Sequence, residues 1–113
     1  MPILPRVISE KNLTYAEALE ILLKEESSRE LTSIERYTLE YLRKFSKVRD
    51  AQTARSLVER LMKEFDIPED VAVQIVNVKP ADPQEAKIFV SHLNKVFTDK
   101  DFARIIEILS SSE

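Results

Sequence analysis

The chain contains no glycine in 113 residues, although an average usage of about 7 per cent would give roughly eight. Glycine tolerates positive φ angles and lets the backbone approach a ligand closely. Its absence excludes phosphate-binding loops of the G-x-x-x-x-G-K-S/T type, G-x-G-x-x-G dinucleotide turns and the G-x-S-x-G nucleophile elbow. We therefore expect a chain of helices with ordinary caps, whose function is carried by its surface.

The composition is typical of one helical domain. Hydrophobic residues make up 43 per cent of the chain and charged residues 33 per cent, and abundant Glu, Lys, Arg and Leu favour helix. The chain has no cysteine, which excludes disulfides, zinc clusters and thiol nucleophiles. No apolar run approaches the roughly 20 residues that cross a bilayer, and the first residues lack a secretory signal pattern. We expect a cytoplasmic protein without membrane contact, from a heat-loving organism.

Capping residues mark the starts of the helices. Thr14 with Glu17 and Thr32 with Glu35 have the spacing of capping boxes, in which each side chain bonds the other residue's backbone N–H. The other starts carry an Asp or Thr cap or a proline in the first turn: Asp50, Pro68, Asp82 with Pro83, and Thr98 with Asp101. The sequence predicts five or six helices and an all-α fold.

Apolar residues recur at helical spacing within these segments, which predicts one core-facing stripe for each helix. In the second helix, we interpret the aromatic residues of the stripe as core, although they also have the character of base-stacking residues. This stripe consists of Ile34, Tyr37, Thr38, Tyr41, Leu42 and Phe45.

Two segments have β-branched residues typical of strands. We interpret residues 71–78 as a short buried helix, because capping residues flank them and no partner strand is evident. Residues 3–10 are β-prone, but Pro5 restricts them to an edge strand. The first helix is apolar around most of its circumference, which predicts burial on more than one side. We therefore expect residues 1–30 to form a partner-binding strand and helix, followed by a helical bundle over residues 31–113.

The residues that carry catalytic or metal chemistry are scarce. His92 is the only histidine, and a lone histidine on a helix is typically a solvent-facing or core residue. We expect no catalytic residue, no metal, no cofactor and no small-molecule substrate. Residues 29–63 carry 9 basic and 5 acidic groups in a chain of net charge −3. The basic cluster within them complements the negative end of the second helix, or contacts phosphates together with Arg55, Arg60 and Lys63. It consists of Arg43, Lys44, Lys47 and Arg49.

The succession of segments resembles a family of archaeal RNA polymerase subunits, the counterparts of the fourth-largest subunit of eukaryotic polymerase II. The similarity covers nearly the whole chain and lies in the order of its parts. It includes AEALEIL at residues 16–22, LTSIERYTLEYLRKF at 31–45, the apolar positions of residues 54–65 and VQIVNVKP at 73–80.

The resemblance implies a bundle of the HRDC-like type after an N-terminal strand and helix, and no active site. It also implies a heterodimer with a second polymerase subunit that has an RNP-like domain and an OB-fold domain, here called the OB-fold subunit. That partner supplies most of the RNA contact and links the chain to the polymerase core. The pair forms a stalk that supports promoter opening, processivity and termination. The alternative hypothesis is a free-standing helical module that binds nucleic acid.

The apolar character of the N-terminal region selects the residues that we expect to contact the OB-fold subunit. A β-edge awaiting a foreign strand is typical of β-augmentation, in which a peptide adds a strand to another protein's sheet. The predicted interface consists of Ile3, Leu4, Val7, Ile8, Leu13, Leu19, Leu22 and Leu23.

Overall fold

The protein's structure is a computed structural model that describes residues 12–48 and 50–111. These residues form six helices and no strand, so the prediction of an all-α fold is confirmed. The predicted strand at residues 3–10 lies outside the described residues. The helices are α1 (Tyr15–Ser28), α2 (Ser33–Phe45), α3 (Ala51–Phe65), α4 (Glu69–Val78), α5 (Pro83–Val90) and α6 (Asp99–Ser110).

The predicted capping residues start the helices. Capping boxes are present at Thr14, Thr32 and Thr98, where both reciprocal hydrogen bonds form. Asp50 and Asp82 cap α3 and α5 with single side-chain acceptors. The start of α4 differs in detail, because Pro68 immediately precedes the helix and makes no side-chain cap. The acidic residues of the first turn of α4 complement its dipole instead.

The helices enclose two separate hydrophobic cores. The larger core lies among α3, α4, α5 and α6. The smaller core lies between α1 and α2 and consists of Ala18, Leu22, Leu31, Leu39 and Leu42. Helix α1 belongs to both, because Ala16 packs in the larger core while Ala18 and Leu22 pack in the smaller one. The predicted burial of α1 on more than one side is confirmed.

Helix α4 is the buried helix predicted for residues 71–78. Its apolar side chains are almost entirely enclosed, including Ala72, Ile75 and Val76 with no exposed surface. β-branched residues have a slightly lower helix propensity, but the difference is below about 1 kcal/mol per residue. Burial of a valine or isoleucine side chain contributes about 1.5–3 kcal/mol. Tertiary packing therefore decides the secondary structure of this segment.

The predicted core-facing stripe of α2 is wrong for its aromatic residues. Tyr37 is 74% exposed, Tyr41 43% and Phe45 41%. The buried side of the helix is formed by Glu35, Leu39 and Leu42. One helix face can pack against α1, and α2 carries two apolar sectors. The leucine sector fills the smaller core together with Leu22 and Leu31, so the aromatic sector with Ile34 faces solvent.

The lack of glycine has a visible consequence at two helix ends. Asp66 and Lys79 end α3 and α4 with φ values of 53° and 50°, in the left-handed region. Glycine usually occupies such positions, and a residue with a Cβ is less stable there by about 1–2 kcal/mol. At the end of α3, the Lys95 ammonium group donates to the carbonyl oxygens of Phe65 and Asp66 at 3.0 and 3.1 Å. That side chain satisfies carbonyls that the helix leaves free.

We expect Lys79→Gly to stabilise the protein. Glycine removes the cost of the left-handed conformation, while its greater freedom in the unfolded chain offsets about 0.5–1 kcal/mol. The free energy of unfolding should rise by up to about 1 kcal/mol. Urea denaturation measures it, with Lys79→Ala as the control, because alanine removes the side chain and keeps the Cβ. Equal stabilities of the two variants would show that the backbone conformation carries no cost.

Candidate interaction surfaces

The outer face of α1 holds the part of the predicted interface that the structure describes. Leu13 and Leu19 are half-buried, and Leu23 is 38% exposed. Leu22 has no exposed surface, because it packs in the smaller core. The assignment of Leu22 to an exposed interface is therefore corrected: a helix apolar all round must place some leucines inward. The remaining predicted interface residues, Ile3, Leu4, Val7 and Ile8, lie outside the described residues.

Arg55 attaches the start of α1 to the bundle. Its guanidinium group donates to both carboxylate oxygens of Glu17 at 2.7 and 2.9 Å and to Glu69 Oε2 at 3.0 Å. A further hydrogen bond of 2.9 Å reaches the carbonyl oxygen of Asn12. Burial opposes the charge on Glu17, but hydrogen bonds from Arg55 and Thr14 hold its pKa below the ordinary value. Arg55 is thus occupied within the protein, which removes it from the predicted basic patch.

Other polar contacts reinforce the same junction. The Tyr15 N–H donates to Asn77 Oδ1 of α4 at 2.7 Å, and the Ala51 N–H donates to Glu20 Oε2 at 3.1 Å. Both contacts join residues far apart in sequence and use donors in the first turns of helices, which have no partner within the helix. Together with Arg55 they fix where the chain enters α1, and therefore which side of α1 faces outward.

An ion pair closes the connection between α1 and α2. The Arg29 guanidinium group donates to both Glu35 carboxylate oxygens, at 3.0 and 2.7 Å, in the paired geometry that makes such bonds strong. The Glu35 side chain is 4% exposed, whereas that of Arg29 is 40% exposed. The hydrogen bonds from Arg29, aided by the Thr32 N–H, lower the pKa of Glu35 to about 2. A glutamate therefore occupies the buried face of α2 as an anion with satisfied oxygens.

The Glu35 carboxylate should make stability depend on pH in acid. Its pKa lies below the value of about 4.3 expected for an unfolded chain, so its contribution is complete above that pH and is lost as the pH falls towards 2. We expect Glu35→Gln to be less stable than the wild type at pH 7 and the difference to shrink between pH 4.5 and pH 2. Urea denaturation across this range measures both chains, and a constant difference would contradict the assignment.

The exposed aromatic residues of α2 form a continuous row, here called the aromatic row and consisting of Tyr37, Tyr41 and Phe45. The rings of Tyr41 and Phe45 are 4.6 Å apart between centroids, and Tyr15 of α1 lies edge-on to Tyr41 at 6.0 Å. The helical spacing of these aromatics is visible in the sequence, but it also fits the core position predicted for them. Leu39 and Leu42 are the signal that a second sector competes for the inside of the helix.

The predicted basic cluster is exposed where the structure describes it. Lys44 and Lys47 are exposed, and Lys44 Nζ lies 5.5 Å from the Phe45 ring centroid. Arg43 is exposed and lies 3.9 Å from Glu26, a long contact between exposed groups that contributes little. Arg49 lies outside the described residues. Nucleic-acid contact by this cluster stays a prediction.

The remaining candidate groups lie on the surface. His92 is exposed in the segment after α5. Within residues 12–48 and 50–111, no group of three or more histidines and carboxylates is placed to hold a metal ion. None of the helices described is long and apolar enough to cross a bilayer.

These observations define a small helical protein built on two cores, with an anchored helix α1 and apolar side chains exposed on α1 and α2. The sequence matches the family described as RNA polymerase Rpb4 over residues 6–113. The chain therefore belongs to the RNA polymerase Rpb4 family, which confirms the resemblance to an archaeal polymerase subunit.

A curated relative agrees with this assignment. The chain is 35% identical over 77 residues to the DNA-directed RNA polymerase subunit Rpo4 of Methanocaldococcus jannaschii. The aligned region covers 68% of this chain and 65% of that relative. The match thus extends over slightly less than two thirds of the relative's length.

Proposed function

We propose that the chain is a non-catalytic subunit of an archaeal DNA-directed RNA polymerase, and that it forms a heterodimer with the OB-fold subunit in the polymerase stalk. In this role it supports promoter opening, processivity and termination. The observation that carries the proposal is the family match over residues 6–113. The half-buried and exposed leucines on the outer face of α1 agree with a protein that works through a partner.

The outer face of α1 and the N-terminal segment supply the proposed interface. Leu23 is exposed and Leu19 is half-buried, one turn apart on the same side of the helix. The contacts of Arg55 with Asn12 and Glu17 hold this face in place before a partner binds, which lowers the entropy lost on association. Residues 3–10 add a strand to the partner's sheet. The proposed contact residues are Ile3, Leu4, Val7, Ile8, Leu13, Leu19 and Leu23.

Co-expression with the OB-fold subunit of the same organism tests this function. The two chains should elute together from a size-exclusion column as a 1:1 complex. We expect Leu23→Asp to abolish the complex, because the interface would bury an unpaired charge. The thermal melting of the isolated Leu23→Asp chain should stay close to that of the wild type, since Leu23 is 38% exposed there. A well-behaved wild-type monomer that does not bind the OB-fold subunit would refute the proposed function.

Core leucines provide the matched controls for this experiment. Leu22 of the smaller core and Leu61 of the larger core both have no exposed surface. Replacement of either by alanine should destabilise the fold by about 2–5 kcal/mol, as for a well-buried leucine. Loss of binding by these variants would accompany loss of helical structure, whereas Leu23→Asp should lose binding alone. Circular dichroism melting curves separate the two effects.

A further inference from the structure

The aromatic row forms an apolar surface that the fold leaves uncovered. Tyr37, Tyr41 and Phe45 are each four residues apart, so they follow one side of α2 over about 12 Å. Ile34 is 51% exposed and extends this surface towards the start of the helix. Single exposed apolar residues are ordinary, but a contiguous group on one helix is typical of an interaction site.

The row is continuous with the outer face of α1. Tyr15 touches Tyr41 across the seam between the helices, with 6.0 Å between ring centroids. Leu19 packs from the α1 side onto the smaller core beneath the seam. The Arg29–Glu35 ion pair fixes the turn that joins the two helices. A partner seated on the outer face of α1 therefore meets the aromatic row without any rearrangement of the hairpin.

The charges around the row favour a protein over a nucleic acid. A shallow groove on α2 is lined by the row together with Glu40 and Lys44, which have opposite charges. Both are exposed. A phosphate backbone would meet the Glu40 carboxylate in the middle of this surface, and nucleic-acid sites gain their affinity from cations. Exposed tyrosines with mixed charges at their edges are typical of the centres of protein interfaces.

The size of a stable interface also requires more surface than α1 offers. A standard protein interface buries about 800 Å² on each partner and involves roughly 20–30 residues. Helix α1 has 14 residues, and its inward side fills the two cores. The outward half of α1 together with residues 1–11 falls short of that number. The exposed side of α2 is the adjoining apolar surface.

We propose that the aromatic row of α2 is a second part of the surface that contacts the OB-fold subunit, which would bind α1 and α2 across their seam. This inference rests on the proposed function, and it adds Tyr37, Tyr41 and Phe45 to the contact residues. The two tyrosines are the residues that carry most of the energy of the α2 contact, because buried tyrosines dominate many interfaces.

The double variant Tyr37→Ser/Tyr41→Ser tests the proposal by calorimetric titration with the OB-fold subunit. Loss of one such tyrosine costs about 2 kcal/mol, a factor of roughly 30, so the dissociation constant of the double variant should rise at least about 30-fold. Ile88→Ser is the matched control, because Ile88 is 71% exposed on α5 and away from the seam. Its affinity should stay within about threefold of the wild type, the range expected of a surface position away from the interface.

Leu23→Asp distinguishes failure of this inference from failure of the proposed function. If this variant loses binding while the tyrosine variant binds as the wild type does, the aromatic row lies outside the interface and only the further inference falls. If the wild-type chain and the OB-fold subunit do not associate, the proposed function falls and the inference falls with it. If both variants lose binding and Ile88→Ser retains it, both proposals are supported.

Two further measurements complete the test. The chain has three tyrosines, so fluorotyrosine labelling gives three fluorine resonances, which single Tyr→Phe variants assign. The Tyr37 and Tyr41 resonances should shift when the OB-fold subunit is added, and unchanged resonances would overturn the inference. A labelled single-stranded RNA at low salt tests the other class of ligand. RNA binding that the tyrosine variant loses, with unchanged affinity for the OB-fold subunit, would assign the row to nucleic acid and overturn the inference.

Discussion

The sharing of α1 between two hydrophobic cores is the constraint on which the rest of the structure depends. Ala16 packs in the larger core, while Ala18 and Leu22 pack in the smaller one. Because the α1–α2 hairpin meets the bundle mainly through α1, the position of α2 follows from that of α1. The Arg55 contacts with Glu17 and Glu69 fix the start of α1 against α3 and α4. This arrangement places both the outer face of α1 and the aromatic row.

The polar contacts at this junction specify geometry more than they add stability. Arg55 is partly exposed, and the net contribution of such an ion pair to folding is small. Its guanidinium group nevertheless joins α1, α3 and α4 in one set of hydrogen bonds that tolerates few other arrangements. Hydrophobic packing of Leu22 would allow α1 to slide or rotate slightly, whereas directional hydrogen bonds do not. The outer face of α1 therefore points in one direction before any partner binds.

Local signals predicted much of the fold from the sequence. Helix starts at Thr14, Thr32 and Thr98 could be predicted because a capping box is a short-range chemical pattern with a defined spacing. The burial of α4 followed from its apolar run and its flanking capping residues. What the sequence could not decide was the rotation of α2. That rotation depends on which sector finds a complementary surface on α1, and no property of α2 alone contains this information.

The two sectors of α2 show why the helix carries function as well as structure. Leucines are flexible enough to fill the narrow space against α1, and the Glu35 anion joins them only because Arg29 satisfies both its oxygens. The tyrosines carry hydroxyl groups that would need partners if buried, so they are better placed at a surface that can become covered by a partner. A helix in a solitary protein would carry polar residues on that side. The presence of aromatic residues there is the physical reason to assign the outer side of α2 to intermolecular contact.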